Sequence, residues 1–318
     1  MTKAGFIKLA VVVAAVSLSY GSPSDAQLRP VVQLKTGAHG SEGTPFRRQE
    51  WLVPTQDQIT HSRAMLFRPE GKGPFRLALI AHASTQNRMR RAQMPQPDYP
   101  ALTAALVARG FAVLVPQRLG HGKTGGPYLE DQEGCDNADY AMSAQATAES
   151  ITAAMSFMRA QPFIRKDAAV VIGHSAGGWG ALSLVDQSPK NISAIIAFAP
   201  GRGGHKDGRP NAICAPDKLV AAATDFGDGA KVPLTWIVAQ NDSYFSPEFS
   251  KELADAYIGA GGKADFLVLP PVGDEGHWLA ETKDQPLMDS LLSAATGLNI
   301  QPPRTTQAPP NVAAKQKQ

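Results

Sequence analysis

From residue 49 onward the chain alternates two hydrophobic patterns. Short apolar runs bounded by polar residues, Gly or Pro predict strands near 49–53, 63–68, 75–81, 111–116, 168–173, 194–198, 232–239 and 264–269. Helical spacing appears over 101–109 and more strongly over 139–160, where Ala144, Ala148, Ile151, Met155 and Met158 fall on one face as core residues. A further helix is predicted to start at Ser246-Pro247-Glu248, with a serine cap and a proline in its first turn. Phe249, Leu253 and Ala256 follow at helical spacing, and Gly261 and Gly262 end it. Strands that alternate with helices predict an α/β domain, a mostly parallel eight-stranded sheet with helices on both faces, over residues 49–298. No internal repeat is visible.

One junction in this pattern carries chemistry. The run Ala168-Ala169-Val170-Val171-Ile172 stops at Gly173-His174-Ser175-Ala176-Gly177-Gly178, after which small residues lead into a helix. A serine on a sharp strand-to-helix turn needs small neighbours, because the backbone there is strained and other segments pass close by. Ser175 is therefore the candidate nucleophile.

A nucleophilic serine needs a base and an acid that orients the base. With a serine on such a turn, the partners follow in chain order as acid and then histidine. Asp242 comes straight after the strand at 232–239 and is the candidate acid. Of the seven histidines (His39, His61, His82, His121, His174, His205 and His277), only His277 lies beyond both the serine and the acid, one loop after the last strand. It is the candidate base. Asp274 and Glu275 are rival acids, though their closeness to His277 in sequence leaves them little room to approach its ring from behind. Charge developing on the substrate carbonyl requires two backbone N–H donors. The amide of Ala176, at the start of the helix, is one candidate. The other comes from the loop His82-Ala83-Ser84-Thr85 after the strand at 75–81, from either Ala83 or Ser84, with Ser84 preferred.

The elbow, the acid after a strand and the late Gly276-His277-Trp278 together resemble the α/β-hydrolase superfamily, in its dienelactone hydrolase-like, serine esterase branch. The resemblance covers roughly residues 49–298. It implies the α/β-hydrolase fold, eight strands being the usual number, and a Ser175–Asp242–His277 triad. Dienelactone hydrolases use cysteine at the nucleophile position, and serine at 175 shifts the expectation toward carboxylic esters.

The ends of the chain read differently. Lys3 and Lys8 precede an apolar stretch from Leu9 to Leu18 that is too short to span a membrane, and Ser24-Asp25-Ala26 follows. This is a secretory signal pattern over residues 1–26, cleaved after Ala26 or, alternatively, after Gly21, and it predicts a secreted or periplasmic protein. Its removal lowers the formal charge from +3 to +2, a balance that points to neither nucleic acid nor a polyanionic partner. Residues 27–48 form an N-terminal extension, and the sequence from Gln27 to about Pro45 and at 299–318 has the composition of disordered chain. No metal-ligand spacing or phosphate-binding loop is found, so neither metal nor cofactor is expected.

Export would place the two cysteines, Cys135 and Cys214, in an oxidising compartment. Each lies in a loop after a strand, on the rim above Ser175, and a disulfide between them is expected; the alternative is two free thiols. Two basic Gly-rich loops, 118–123 and 201–206, are expected at the mouth, either binding a substrate carboxylate or simply solvated. Only about forty residues separate the sixth strand from Asp242, which predicts a small lid and a small, open pocket suited to short soluble esters. The function expected is an exported serine esterase acting on a small-molecule ester. A prolyl-oligopeptidase-like peptidase and a non-catalytic binding protein on the same scaffold are the alternatives.

Overall fold

The computed structural model describes residues 35–185, 187–295 and 298. The expected signal segment and C-terminal tail lie outside these residues. The strands are β1 (Gly37–Ala38), β2 (Gln49–Pro54), β3 (His61–Phe67), β4 (Arg76–Ala81), β5 (Phe111–Pro116), β6 (Ala169–His174), β7 (Ile192–Phe198), β8 (Leu234–Ala239) and β9 (Ala264–Leu269). They form one sheet in the order β1-β2-β3-β5-β4-β6-β7-β8-β9. The pairs from β1 to β3, and β3 with β5, are antiparallel, and all pairs from β5 to β9 are parallel.

The ninth strand is the short β1, which pairs Gly37 and Ala38 with Leu52 and Trp51. It corrects the expectation that the extension is disordered as far as Pro45. From Lys35 on, the extension is tied to the edge of β2, and Glu42 forms ion pairs with Arg47 and Arg68. Composition cannot register a two-residue strand supplied by pairing to an existing edge.

The central strands are apolar on both faces because helices cover both. In β4, Leu77, Leu79 and Ala81 join one core while Ala78 and Ile80 join the other. The first core includes α3 (Tyr140–Arg159), α5 (Pro216–Gly227) and α6 (Pro247–Gly259), and the second includes α2 (Pro100–Ala108) and α7 (Gln285–Ala294). The residues predicted to share a face of α3 are all buried, Met155 and Met158 included. Asp139 caps α3 by accepting from the Met142 N–H at 2.8 Å, and Ser246 caps α6 from Phe249 at 3.3 Å. The remaining α-helices among the described residues are the short α1 (Arg88–Ala92) and α4 (Ala176–Leu182), and Gly276–Glu281, which carries His277, is a 3-10 helix.

Strand order reverses beside β4, with β5 on one side and β6 on the other. Loops leaving the carboxyl ends of these strands part there and open a crevice, the usual ligand position in an open α/β sheet.

Candidate active site

Ser175 sits between β6 and α4 with φ 53° and ψ −118°, a positive φ that L-residues rarely adopt. Small neighbours make this turn possible. A Cβ on Gly177 would lie 2.1 Å from the Ala81 carbonyl oxygen and 2.5 Å from that of His82, so only glycine lets α4 start against the end of β4. The Ser175 N–H donates to the Phe198 carbonyl at 2.9 Å, which ties the turn to β7.

The three candidate residues converge in space although they are separated in sequence. Ser175 Oγ–H donates to His277 Nε2 at 2.9 Å, and His277 Nδ1–H donates to Asp242 Oδ2 at 3.1 Å. All three side chains are buried. The other oxygen of Asp242 accepts the backbone N–H groups of Tyr244 at 2.8 Å and Phe245 at 3.0 Å, which aims Oδ2 at the ring. Gly276 permits the approach of the histidine loop, since a Cβ there would fall 2.5 Å from Asn241 Oδ1 and 2.8 Å from the Asp242 nitrogen. Burial pulls the His277 pKa below its ordinary value of 6.5, and the bond to Asp242 opposes part of that shift.

The rival acids stand elsewhere. Glu275 accepts the backbone N–H groups of His277 at 2.9 Å and Ser243 at 3.0 Å, and the Ser243 hydroxyl as well, so it shapes the loop. Asp274 is exposed. On the open side of the base, the Tyr244 ring stacks on His277 with centroids 4.2 Å apart, and His205 stacks on Tyr244 at 3.6 Å. The one sequence signal for Tyr244 is its position two residues after the acid.

The loop after β4 is held residue by residue. His82 Nε2 accepts the Arg118 N–H at 3.0 Å, and its carbonyl accepts Arg118 Nη1 at 2.7 Å. The Ala83 N–H donates to Tyr99 Oη at 3.2 Å. Ser84 Oγ–H donates to His121 Nε2 at 2.7 Å, and burial pushes the His121 pKa down to about 4, which keeps that nitrogen an acceptor at neutral pH. Ala83, Ser84 and Ala176 all line the cleft beside Ser175, and of these three the Ala83 amide is engaged by Tyr99.

The arginines of the basic loops are neither solvated nor free for a substrate carboxylate. Arg118 Nε donates to Glu130 Oε1 at 2.5 Å, and Arg202 Nη2 donates to Glu130 Oε2 at 2.7 Å, all three side chains being buried. Burial alone would raise the Glu130 pKa, but the Arg118 and Arg202 guanidiniums outweigh it and hold the carboxyl well below the usual range. Both arginines are thus committed to tying the two loops together. No local sequence signal marks Glu130 as their shared counter-ion. Cys135 and Cys214 form a disulfide with Cα atoms 4.9 Å apart, and both line the cleft.

The cleft above Ser175 measures about 1200 Å³, above the roughly 300–1,000 Å³ usual for small-molecule sites and larger than the small pocket expected from the sequence. Its walls come only in part from the segment between β7 and Asp242. Residues of the 84–100 stretch, the 131–135 stretch and the 201–208 loop stand around it, and the exposed Trp278 ring faces it next to His277.

Comparison with known proteins adds to this geometry. A family model described as Hydrolase_4, serine aminopeptidase, S33, matches residues 97–226, a span that contains Ser175 but ends before Asp242 and His277. No curated protein matches the chain. Among solved structures, an esterase of Pyrococcus furiosus is similar at 15% identity and TM-score 0.54, over 85% of this chain and 100% of its own. A Klebsiella pneumoniae protein assigned as a dienelactone hydrolase is 14% identical with TM-score 0.50, over 77% of this chain and 96% of its own. A puromycin-hydrolyzing peptidase of Mycobacterium tuberculosis is 13% identical with TM-score 0.50, over 78% of this chain and 38% of its own. At these identities the likeness is one of fold.

Proposed function

We propose that this chain, whose fold is that of the α/β-hydrolases, is an exported serine hydrolase that cleaves carboxylic esters through an acyl-enzyme. The observation that carries this reading is the buried line from Asp242 through His277 to Ser175, at 3.1 and 2.9 Å, on the floor of a cleft open to a small molecule.

Ser175 Oγ attacks the ester carbonyl carbon while His277 Nε2 takes its proton. Charge on the carbonyl oxygen is met by the amides of Ala176 and Ser84. Asp242 holds the imidazolium, which then protonates the departing alkoxide and leaves an acyl ester on Ser175. Water, deprotonated by His277, attacks that ester, and the acid leaves as the serine is restored. The depressed pKa of His277 suits a base that must be neutral before each attack. Export rests on the signal pattern in the first 26 residues and on the disulfide, which persists best in an oxidising compartment.

The volume of the cleft favours esters with a bulky group on one side over the shortest acyl esters, and Trp278 offers that group an apolar face. A second reading, amide cleavage next to a free amine, is favoured by the description of the family model and by the peptidase likeness. Asp98, Asp131 and Glu281 line the cleft and could meet an ammonium group. A panel of p-nitrophenyl esters and aminoacyl p-nitroanilides separates the two. Ester turnover with anilides inert supports the esterase, whereas preferred turnover of the anilides would replace it with a peptidase.

A further inference from the structure

We propose that Tyr99 and His174 are positioning residues that fix the oxyanion hole relative to the base, through one directional chain of hydrogen bonds between the β4 loop and the histidine loop. This inference rests on reading Ser175 as the nucleophile and goes beyond it by naming what holds the carbonyl-binding amide in place.

The chain has three links. His174 Nε2 lies 2.8 Å from the His277 carbonyl oxygen, His174 Nδ1 lies 3.2 Å from Tyr99 Oη, and Tyr99 Oη lies 3.2 Å from the Ala83 nitrogen. Each polarity follows from the last. A carbonyl oxygen only accepts, so Nε2 of His174 carries the proton. In a neutral imidazole Nδ1 is then an acceptor, so Tyr99 must donate to it. The Glu281 carboxylate also lies 3.4 Å from this nitrogen, but while the ring is neutral it has no proton to give and Tyr99 is the donor. The tyrosine oxygen is left to accept the Ala83 N–H.

Tyr99 and His174 are almost wholly buried, so water does not compete for these bonds. Tyr99 reaches its place from a left-handed backbone conformation, φ 48° and ψ 63°, just before Pro100 opens α2. A bulky residue rarely adopts it, and only a surrounding structure that over-determines the position holds it there.

The consequence is selective. With the Ala83 amide engaged, the next one, that of Ser84, is left for the carbonyl oxygen, and the Ser84 hydroxyl is anchored on His121. Because the chain ends on the carbonyl of His277 itself, base and oxyanion donor keep a fixed separation. His174, inside the elbow motif, thus does work that the sequence reading left unassigned.

The test uses the full-length protein and phenylboronic acid, which forms a tetrahedral adduct on a nucleophilic serine and places an oxygen in the hole. Amide NMR of the wild type should show the Ser84 and Ala176 N–H signals displaced on binding and that of Ala83 unmoved. Tyr99→Phe keeps the ring packed against His174. It should lower kcat by roughly 10- to 100-fold, short of the loss for deleting an oxyanion donor outright, with KM within about threefold, and should weaken boronic-acid binding by the same factor as kcat. Adding His174→Gln to Tyr99→Phe should cost less than the product of the two single effects, since both break one chain. A displaced Ala83 signal, an unchanged kcat in folded Tyr99→Phe, or fully multiplicative losses would each overturn the chain. The wild-type spectrum decides the matter even if Tyr99→Phe does not fold. Failure of the boronic acid to reach Ser175 at all would remove the nucleophile reading and this inference with it.

Discussion

Asp242 and His277 meet through a single carboxylate oxygen. Oδ2 accepts the ring Nδ1–H at 3.1 Å, while Oδ1 is occupied by the amides of Tyr244 and Phe245. The carboxylate therefore cannot rotate to offer its other oxygen without breaking two bonds, and the ring tautomer is fixed with it. Asp242→Asn should lower kcat by a factor on the order of 10³ to 10⁴, because an amide nitrogen behind the ring favours the wrong tautomer. Asp274→Asn should stay within about twofold of the wild type, as its side chain is exposed. Steady-state kinetics of the two variants check this, and equal losses would mean that the acid is misassigned.

The pH dependence follows from the same pair. His277 must be neutral to act as base, and burial lowers its pKa from 6.5. Activity is therefore lost as pH falls through that lowered value, and the acid limb of kcat/KM should have its midpoint below 6.5. Asp242 opposes the shift, so residual activity in Asp242→Asn should titrate at a still lower pH. A wild-type midpoint above 7, on the basic side of an ordinary histidine, would contradict the burial argument.

Glu130 is the counter-ion of two buried arginines. Glu130→Gln leaves Arg118 and Arg202 uncompensated in the interior and should cost about 3–5 kcal/mol of stability by denaturant unfolding. Because Arg118 also holds His82 by two bonds, kcat should fall as well. A loss below about 1 kcal/mol would mean that water reaches and screens this cluster.

The disulfide spans a sequence separation of 79 residues. Replacing both cysteines with serine should cost roughly 2–5 kcal/mol, and KM should rise because both residues line the cleft. Thermal unfolding and ester kinetics of the double variant read the two effects separately. An unchanged KM would confine the bridge to a stabilising role.

Much of this was legible in the sequence, for identifiable reasons. The central strands were readable because a strand buried on both faces needs a continuous apolar run, as in β5, where all six residues are buried. The small-residue turn marks Ser175, and position after a strand together with chain order marks Asp242 and His277, which the structure brings together. Helices α5 and α7 carry a readable period at Leu219, Ala222, Ala223 and Phe226 and at Met288, Leu291 and Leu292, which the sequence reading passed over. Short α1 has a run of basic residues and no apolar period to find. The cleft walls and the contacts of Tyr99, His121 and Glu130 depend on loops from distant parts of the chain meeting above the sheet. Local patterns do not encode such meetings. The basic loops were misjudged for the same reason, since a loop arginine looks solvated until its buried carboxylate is seen.

The central claim is that Ser175 is a covalent nucleophile. The most direct measurement is mass spectrometry of the protein after reaction with a fluorophosphonate, alongside ester turnover by Ser175→Ala. One adduct, mapped to Ser175 and absent from the variant, with turnover reduced by a factor on the order of 10⁴ or more, is the predicted result. Labelling at another residue, or undiminished ester hydrolysis by folded Ser175→Ala, would contradict it.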